Sequence, residues 1–318
     1  MPLAPPSTTT ARRPGSSLPG RRRLSLRSRR RRELWLFALP GILFFGLCFI
    51  YPLAYGVYLS TSDFTAGSFI TGVAPFVGLD NFTAALGSSL FTRALVNTVV
   101  ITFVAVGAEL VIGLALALLF TRRFPGSRWL PALILLPWLL PSVVVGTIWK
   151  WLLSGDGAIN QLLESVGIPT DAWLANPGTA LAALIVVAIW GGLPYWATIL
   201  GAALKQVPQD QLEAAQLDGA GPWARLVHII IPNILPVISV LTVMSVVYNL
   251  MIVDLVLVLT AGGPANGTVT LSYLSYRSSF QLFEFGEAAA YGVLLLILAL
   301  GFAIIHTWIS GRRERREL

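Results

Sequence analysis

Six stretches of this chain stay apolar over the length of a bilayer crossing, near residues 34–60, 94–120, 129–153, 179–204, 233–260 and 287–310. A hydrocarbon core of roughly 30 Å takes about 20 helical residues, and a helix satisfies its own backbone donors and acceptors where no water can. The expected fold is therefore all-α: a polytopic membrane protein of six transmembrane helices. Composition agrees, since 55% of the 318 residues are apolar, 12% are charged and the mean hydropathy is +0.75. No water-soluble domain of ordinary composition looks like this.

The net charge of +7 is distributed on one side of that arrangement. Of the 22 Lys and Arg residues, ten precede residue 34, three lie in 121–128, two in the connection after Leu204 and four after Ser310. Arg93, Lys150 and Arg277 fall in or beside the alternate connections. Positive charge collects on the cytoplasmic side, so both termini are expected there, as an even number of spans requires. The basic segment 1–33 is rich in Pro, Ser, Thr and Arg and holds little to bury, so it is expected to be a disordered cytoplasmic tail. Anionic lipid accounts for its arginines better than nucleic acid does. Cleavage as a signal sequence is not expected, because the following apolar run is too long and lacks a small-x-small site. Residues 34–310 then form the transmembrane domain and 311–318 a short cytoplasmic tail.

The only cysteine, Cys48, lies inside the first span, and the two histidines, His228 and His306, have no partners at metal-ligand spacing. A Gly-rich phosphate loop with its Lys is missing from the sequence, so the chain is not expected to bind ATP or metal by itself.

The longest cytoplasmic connection, 205–232, carries the most specific pattern. Pro208 suits a first helical turn, Asp210 its positive end, and Gly219 with Gly221 a helix stop; Pro222 then starts a second helix bearing Trp223, Leu226 and Val227. The spacing of Glu213-Ala214-Ala215, of Gly219 four residues on, and of Ile231-Pro232 with Leu235-Pro236 resembles the EAA loop of permease subunits in binding-protein-dependent ABC importers. In that family the first helix of the loop is the coupling helix, seated in a cleft of the ATP-binding subunit. The resemblance implies that Glu213, Ala214, Ala215, Asp218 and Gly219 meet that subunit, with ATP and Mg held on the partner and no cofactor here. It also implies two ATP-binding subunits, a second homologous permease, an extracytoplasmic solute-binding protein and a bacterial plasma-membrane location.

Three further stretches are similar to the carbohydrate-uptake branch of maltose and glycerol-phosphate permeases: 76–82 (FVGLDNF), 190–195 (WGGLPY) and 259–264 (LTAGGP). The maltose subunit adds two spans and a large external domain, so only the six-helix core carries over. In the fifth span Ser245, Tyr248, Asn249 and Ile252 follow i, i+3, i+4, i+7 and so share a helix face. Asn249 lies roughly 16 Å below Thr260, and Trp190 about as far below Thr179. Hydroxyl-bonding groups beside aromatic faces near mid-depth suit a neutral sugar, although Ser and Asn also serve as interhelical ties. The resemblance implies a carbohydrate site at Trp190, Gly192, Tyr195, Ser245, Tyr248 and Asn249. Gly191 and Ile252 depart from it, standing where that pattern has a larger apolar residue and an amide.

Two acidic residues in the spans remain. Asp254 lies nine positions beyond Ser245, about 180° around a continuous helix, so it is expected to face away from the site toward a structural partner. Glu109 is expected to serve helix packing or a subunit contact. Were either an ion or proton site instead, the chain could act as a secondary transporter or channel without an ATPase.

Overall fold

The structure, a computed structural model, describes residues 34–35, 37–122, 125–127, 129–167 and 172–314. The basic tail 1–33 and residues 315–318 lie outside these. Among the described residues five helices are long and apolar enough to cross a membrane, and a sharply bent helix pair supplies a sixth segment.

The chain divides into two compact parts, through Tyr55 and from Gly56 onward. Through the first runs helix α1, Phe37–Ser60, with a π turn at Gly46–Ile50. Its side chains up to Tyr55 are largely exposed, with Phe45 stacked on Phe49 at 5.2 Å. Its length and apolar composition suit a membrane crossing.

In the second part, short helices α2 (Ala66–Thr71) and α3 (Asp80–Gly87) precede α4, Ser89–Phe120. Asn81 fixes the turn before them, its amide donating to the carbonyls of Ser60 and Ser62 at 3.0 Å each. The core forms where α4 meets α8, Pro177–Leu204, the most extensive helix pairing among the described residues. Small residues let these backbones approach: a Cβ added at Gly113 would sit 2.6 Å from that of Trp196. Between membrane helices there is little hydrophobic gain to collect, so close van der Waals packing across small residues carries the association. Helix α10, Pro222–Leu250, packs on both, and α13, Phe285–Glu314, closes on α10 and on α12, Leu271–Arg277.

Two expected spans are not continuous. The run 129–153 is split into α5, Leu130–Leu139, and α6, Ser142–Leu152, which meet at 102°. Leu140 is extended and Pro141 follows it; a residue before proline is pushed out of the helical region, and proline offers no N–H to continue the ladder. After α6 comes the short helix α7, Ala158–Ser165. The fifth run was expected over 233–260. Its helix instead begins at Pro222, stops at Leu250, and gives way after three non-helical residues to α11, Asp254–Leu259. Helix α11 packs against α6, where a Cβ on Gly146 would come 3.0 Å from Val258.

Candidate functional site

Both breaks contribute to the wall of one cavity of about 480 Å³. Trp138, Leu140 and Ser142 come from the bend between α5 and α6, Gly191 from α8, and Tyr248 and Asp254 from the break between α10 and α11. Discontinuous membrane helices expose backbone and side-chain polar groups at a depth where an unbroken helix would keep them paired, which is why transporter sites are built from them. Ser142 Oγ donates to Asp254 Oδ2 at 3.0 Å in the cavity wall, joining the broken ends.

This overturns the expected orientation of Asp254. Counting 100° per residue from Ser245 assumes an unbroken helix, and the helix ends at Leu250, so the intervening segment resets the rotation. Asp254 lines the same cavity as Tyr248 and Ile252, bonded there to Ser142.

The six residues assigned to a sugar site separate into layers. Tyr248 is 68% exposed and lines the cavity. Tyr195 is not among the lining residues; it stacks on Trp138, which is, at 6.4 Å with the rings 19° apart. Trp190 packs edge-on against Trp149 at 5.5 Å. Ser245 and Asn249 are buried, at 6% and 2% exposure, and turn toward the helix interior. There they join a polar cluster around Glu109, whose side chain is 1% exposed: Trp196 Nε1 donates to Glu109 Oε2 at 2.9 Å and approaches Ser245 Oγ at 2.7 Å, while the Asn249 amide donates to the Ser245 carbonyl at 3.0 Å. Gly192 makes room for this cluster, since a Cβ there would lie 2.6 Å from Glu109 Cδ. Three spans, α4, α8 and α10, thus share one polar knot directly behind the cavity wall. Glu109 thereby joins α4 to α8.

In the connection 205–232, helix α9 spans Gln209–Leu217, one residue after Pro208. It ends in a Schellman motif: the Ala220 N–H donates to the Ala215 carbonyl at 2.8 Å and the Gly219 N–H to Gln216 at 3.2 Å, with Gly219 at φ +79°. Asp218 is the C-cap. Glu213, Ala214 and Asp218 are exposed, and so are Leu217 (89%) and Trp223 (75%), which puts two large apolar side chains at the knob's surface. Asn233 Nδ2 donates to Gln211 Oε1 at 3.1 Å, tying α9 to the long helix beyond it.

On the opposite side, the turn after α11 is clamped to the start of α4. Asn97 donates to the Gly267 and Val269 carbonyls, and the Leu271 N–H donates to Thr98 Oγ1 at 2.9 Å, leaving Ala265 and Asn266 exposed at the tip.

Residues 109–315 match the family model described as binding-protein-dependent transport system inner membrane component. The chain belongs to that family. This permease is 32% identical to the trehalose/maltose transport system permease protein MalF of Thermococcus litoralis over 76% of its own length and 82% of the relative's. It is 29% identical to the sn-glycerol-3-phosphate transport system permease protein UgpA of Yersinia enterocolitica, covering 89% and 95%. A chain of a bacterial ABC transporter that imports the acidic polysaccharide alginate superposes with a TM-score of 0.76 over 91% of the permease and 99% of that chain. At 24% identity that likeness establishes the fold and no more.

Four residues of the cavity, the buried polar cluster and the knob were not singled out from the sequence of the permease as functional: Trp138 and Ser142, Trp196, and Leu217. Pro141 was the available signal for the first two, because a proline inside a span often marks a break.

Proposed function

We propose that this chain is the permease subunit of an ATP-driven sugar importer, forming one half of an alternating-access path and coupled to ATP-binding subunits through the loop 205–232. The observation that carries the reading is the continuity of α10. From the turn at Gly219 to Gly221 the chain enters one helix, Pro222–Leu250, which passes through a π turn at Leu226–Ile230 and reaches the cavity at Tyr248, a distance of roughly 40 Å at about 1.5 Å per residue. A stiff rod with one end on an exposed knob and the other in a cavity wall transmits displacement, where a flexible linker would absorb it.

In this reading Glu213, Ala214, Ala215, Asp218 and Gly219 dock on an ATP-binding subunit, which holds the ATP and Mg. Leu217 and Trp223 supply apolar contact beside them. The termini lie in the cytoplasm of a bacterial cell, a second homologous permease completes the path, and the external turn at Gly262 to Pro264 meets a solute-binding protein. Tyr248 gives the sugar an aromatic face, while Tyr195, Trp190, Gly192, Ser245 and Asn249 shape the wall behind it. The names of the relatives support a saccharide or polyol as solute.

The test is a reconstituted importer carrying Glu213→Ala or Gly219→Ala. Uptake and solute-stimulated ATP hydrolysis should fall together, by about tenfold or more, with the permease still folded. Unaltered uptake and hydrolysis in both variants would remove the coupling role from this loop.

A further inference from the structure

We propose that Asp254 contacts the transported solute and selects its charge, accepting hydrogen bonds from the hydroxyls of a neutral saccharide and turning away carboxylated, sulfonated or phosphorylated ones. The proposal rests on the sugar-importer reading given above and adds the substrate class.

Asp254 is exposed at the rim of the break between α10 and α11 and lines the cavity. Among the described residues lining that cavity it is the single carboxylate, and neither Lys nor Arg lines it. A carboxylate offers about four acceptor positions, and Ser142 Oγ takes one of them. The remaining capacity faces a site whose other walls are aromatic or apolar, Tyr248, Trp138, Met244 and Ile252 among them. Sugar hydroxyls are donors in need of acceptors, and sugar ring faces are apolar surfaces in need of aromatic ones; the cavity offers both. An anionic solute placed there would meet a like charge and no cation, a repulsive element of the kind that sets specificity. Ionisable groups at membrane depth are costly and usually have work to do.

A structural explanation also exists. Asp254 opens α11, where a negative charge favours the helix N-terminus, and its bond to Ser142 ties α11 to α6. Such a role would affect stability but not the preference between solutes that differ only in charge, so the preference is the quantity to measure.

The experiment uses the complete purified importer complex in lipid nanodiscs, without its solute-binding protein, so that the membrane cavity alone discriminates. Equilibrium binding is compared for a neutral α-linked glucose disaccharide and its counterpart with one glucuronic acid unit. The wild-type complex should favour the neutral sugar by tenfold or more. Asp254→Asn should weaken neutral binding by about tenfold, the effect of losing a charged acceptor, and bring the preference close to one. Asp254→Glu keeps the charge and should keep the preference, as should Ser142→Ala, which removes the tie to α6. If Asp254→Asn leaves the preference intact, or lowers both affinities by the same factor, the residue is a helix tie and the proposal falls while the sugar reading stands. Loss of the preference in Asp254→Glu likewise overturns it. A folded wild-type complex that binds no neutral saccharide from a broad panel would overturn the sugar reading itself, and this inference with it.

Discussion

The indole N–H of Trp196 donates to the buried carboxyl of Glu109 at 2.9 Å, linking two spans that lie 87 residues apart in sequence. Because the same N–H lies 2.7 Å from Ser245 Oγ, removing the carboxyl loosens three helices together. Glu109→Ala should cost about 2 to 4 kcal/mol, the sum of a lost buried hydrogen bond and the space left behind. Glu109→Gln keeps an acceptor for Trp196 and should cost about 1 kcal/mol or less. Thermal unfolding of the purified complex in nanodiscs measures both; equal effects would mean that the carboxyl is not the knot.

Adjacent glycines in α8 should behave oppositely. A methyl at Gly192 collides with Glu109, so Gly192→Ala should destabilise by about 1 to 3 kcal/mol. A Cβ at Gly191 meets nothing within 4 Å, and that residue lines the cavity. Gly191→Ala should leave stability within about 0.5 kcal/mol, since alanine suits a helix better than glycine, yet alter solute affinity by narrowing the wall. Unfolding temperature and solute binding, measured on the two variants side by side, separate the roles.

Tyr248 and Asn249 are neighbours in sequence that face different surroundings. Tyr248→Ala should weaken solute uptake severalfold at nearly unchanged stability. Asn249→Ala removes a buried donor to the Ser245 carbonyl and should lower stability by about 1 to 2 kcal/mol. Uptake assays paired with unfolding curves check this, and the reverse pattern would exchange their assignments.

Much of this architecture was legible because membrane helices announce themselves by length. The spans ending at Ser60, Phe120 and Leu204 end in the structure at those residues. The turn at Gly219 was legible for a local reason, since a left-handed backbone after a helix calls for glycine. The break at Met251 to Val253 was not, because the sequence there carries neither Gly nor Pro and the apolar run reads straight through it. That one interruption moved Asp254 from the far side of a helix into the cavity. Likewise Ser245, Tyr248 and Asn249 share a helical half-turn, but 100° separates Tyr248 from Asn249, enough to place one in a cavity and the other in the core. Periodicity identifies a face; which neighbour covers it depends on tertiary packing.

The most direct test of the account is solute flux in proteoliposomes. With the second permease, the ATP-binding subunits and the solute-binding protein present, this chain should support accumulation of a neutral saccharide only when ATP is supplied, and Glu213→Ala should abolish most of it. The chain alone, under an imposed proton or sodium gradient, should move none. Saccharide uptake by the isolated chain driven by such a gradient would contradict the account and make it a self-sufficient secondary transporter.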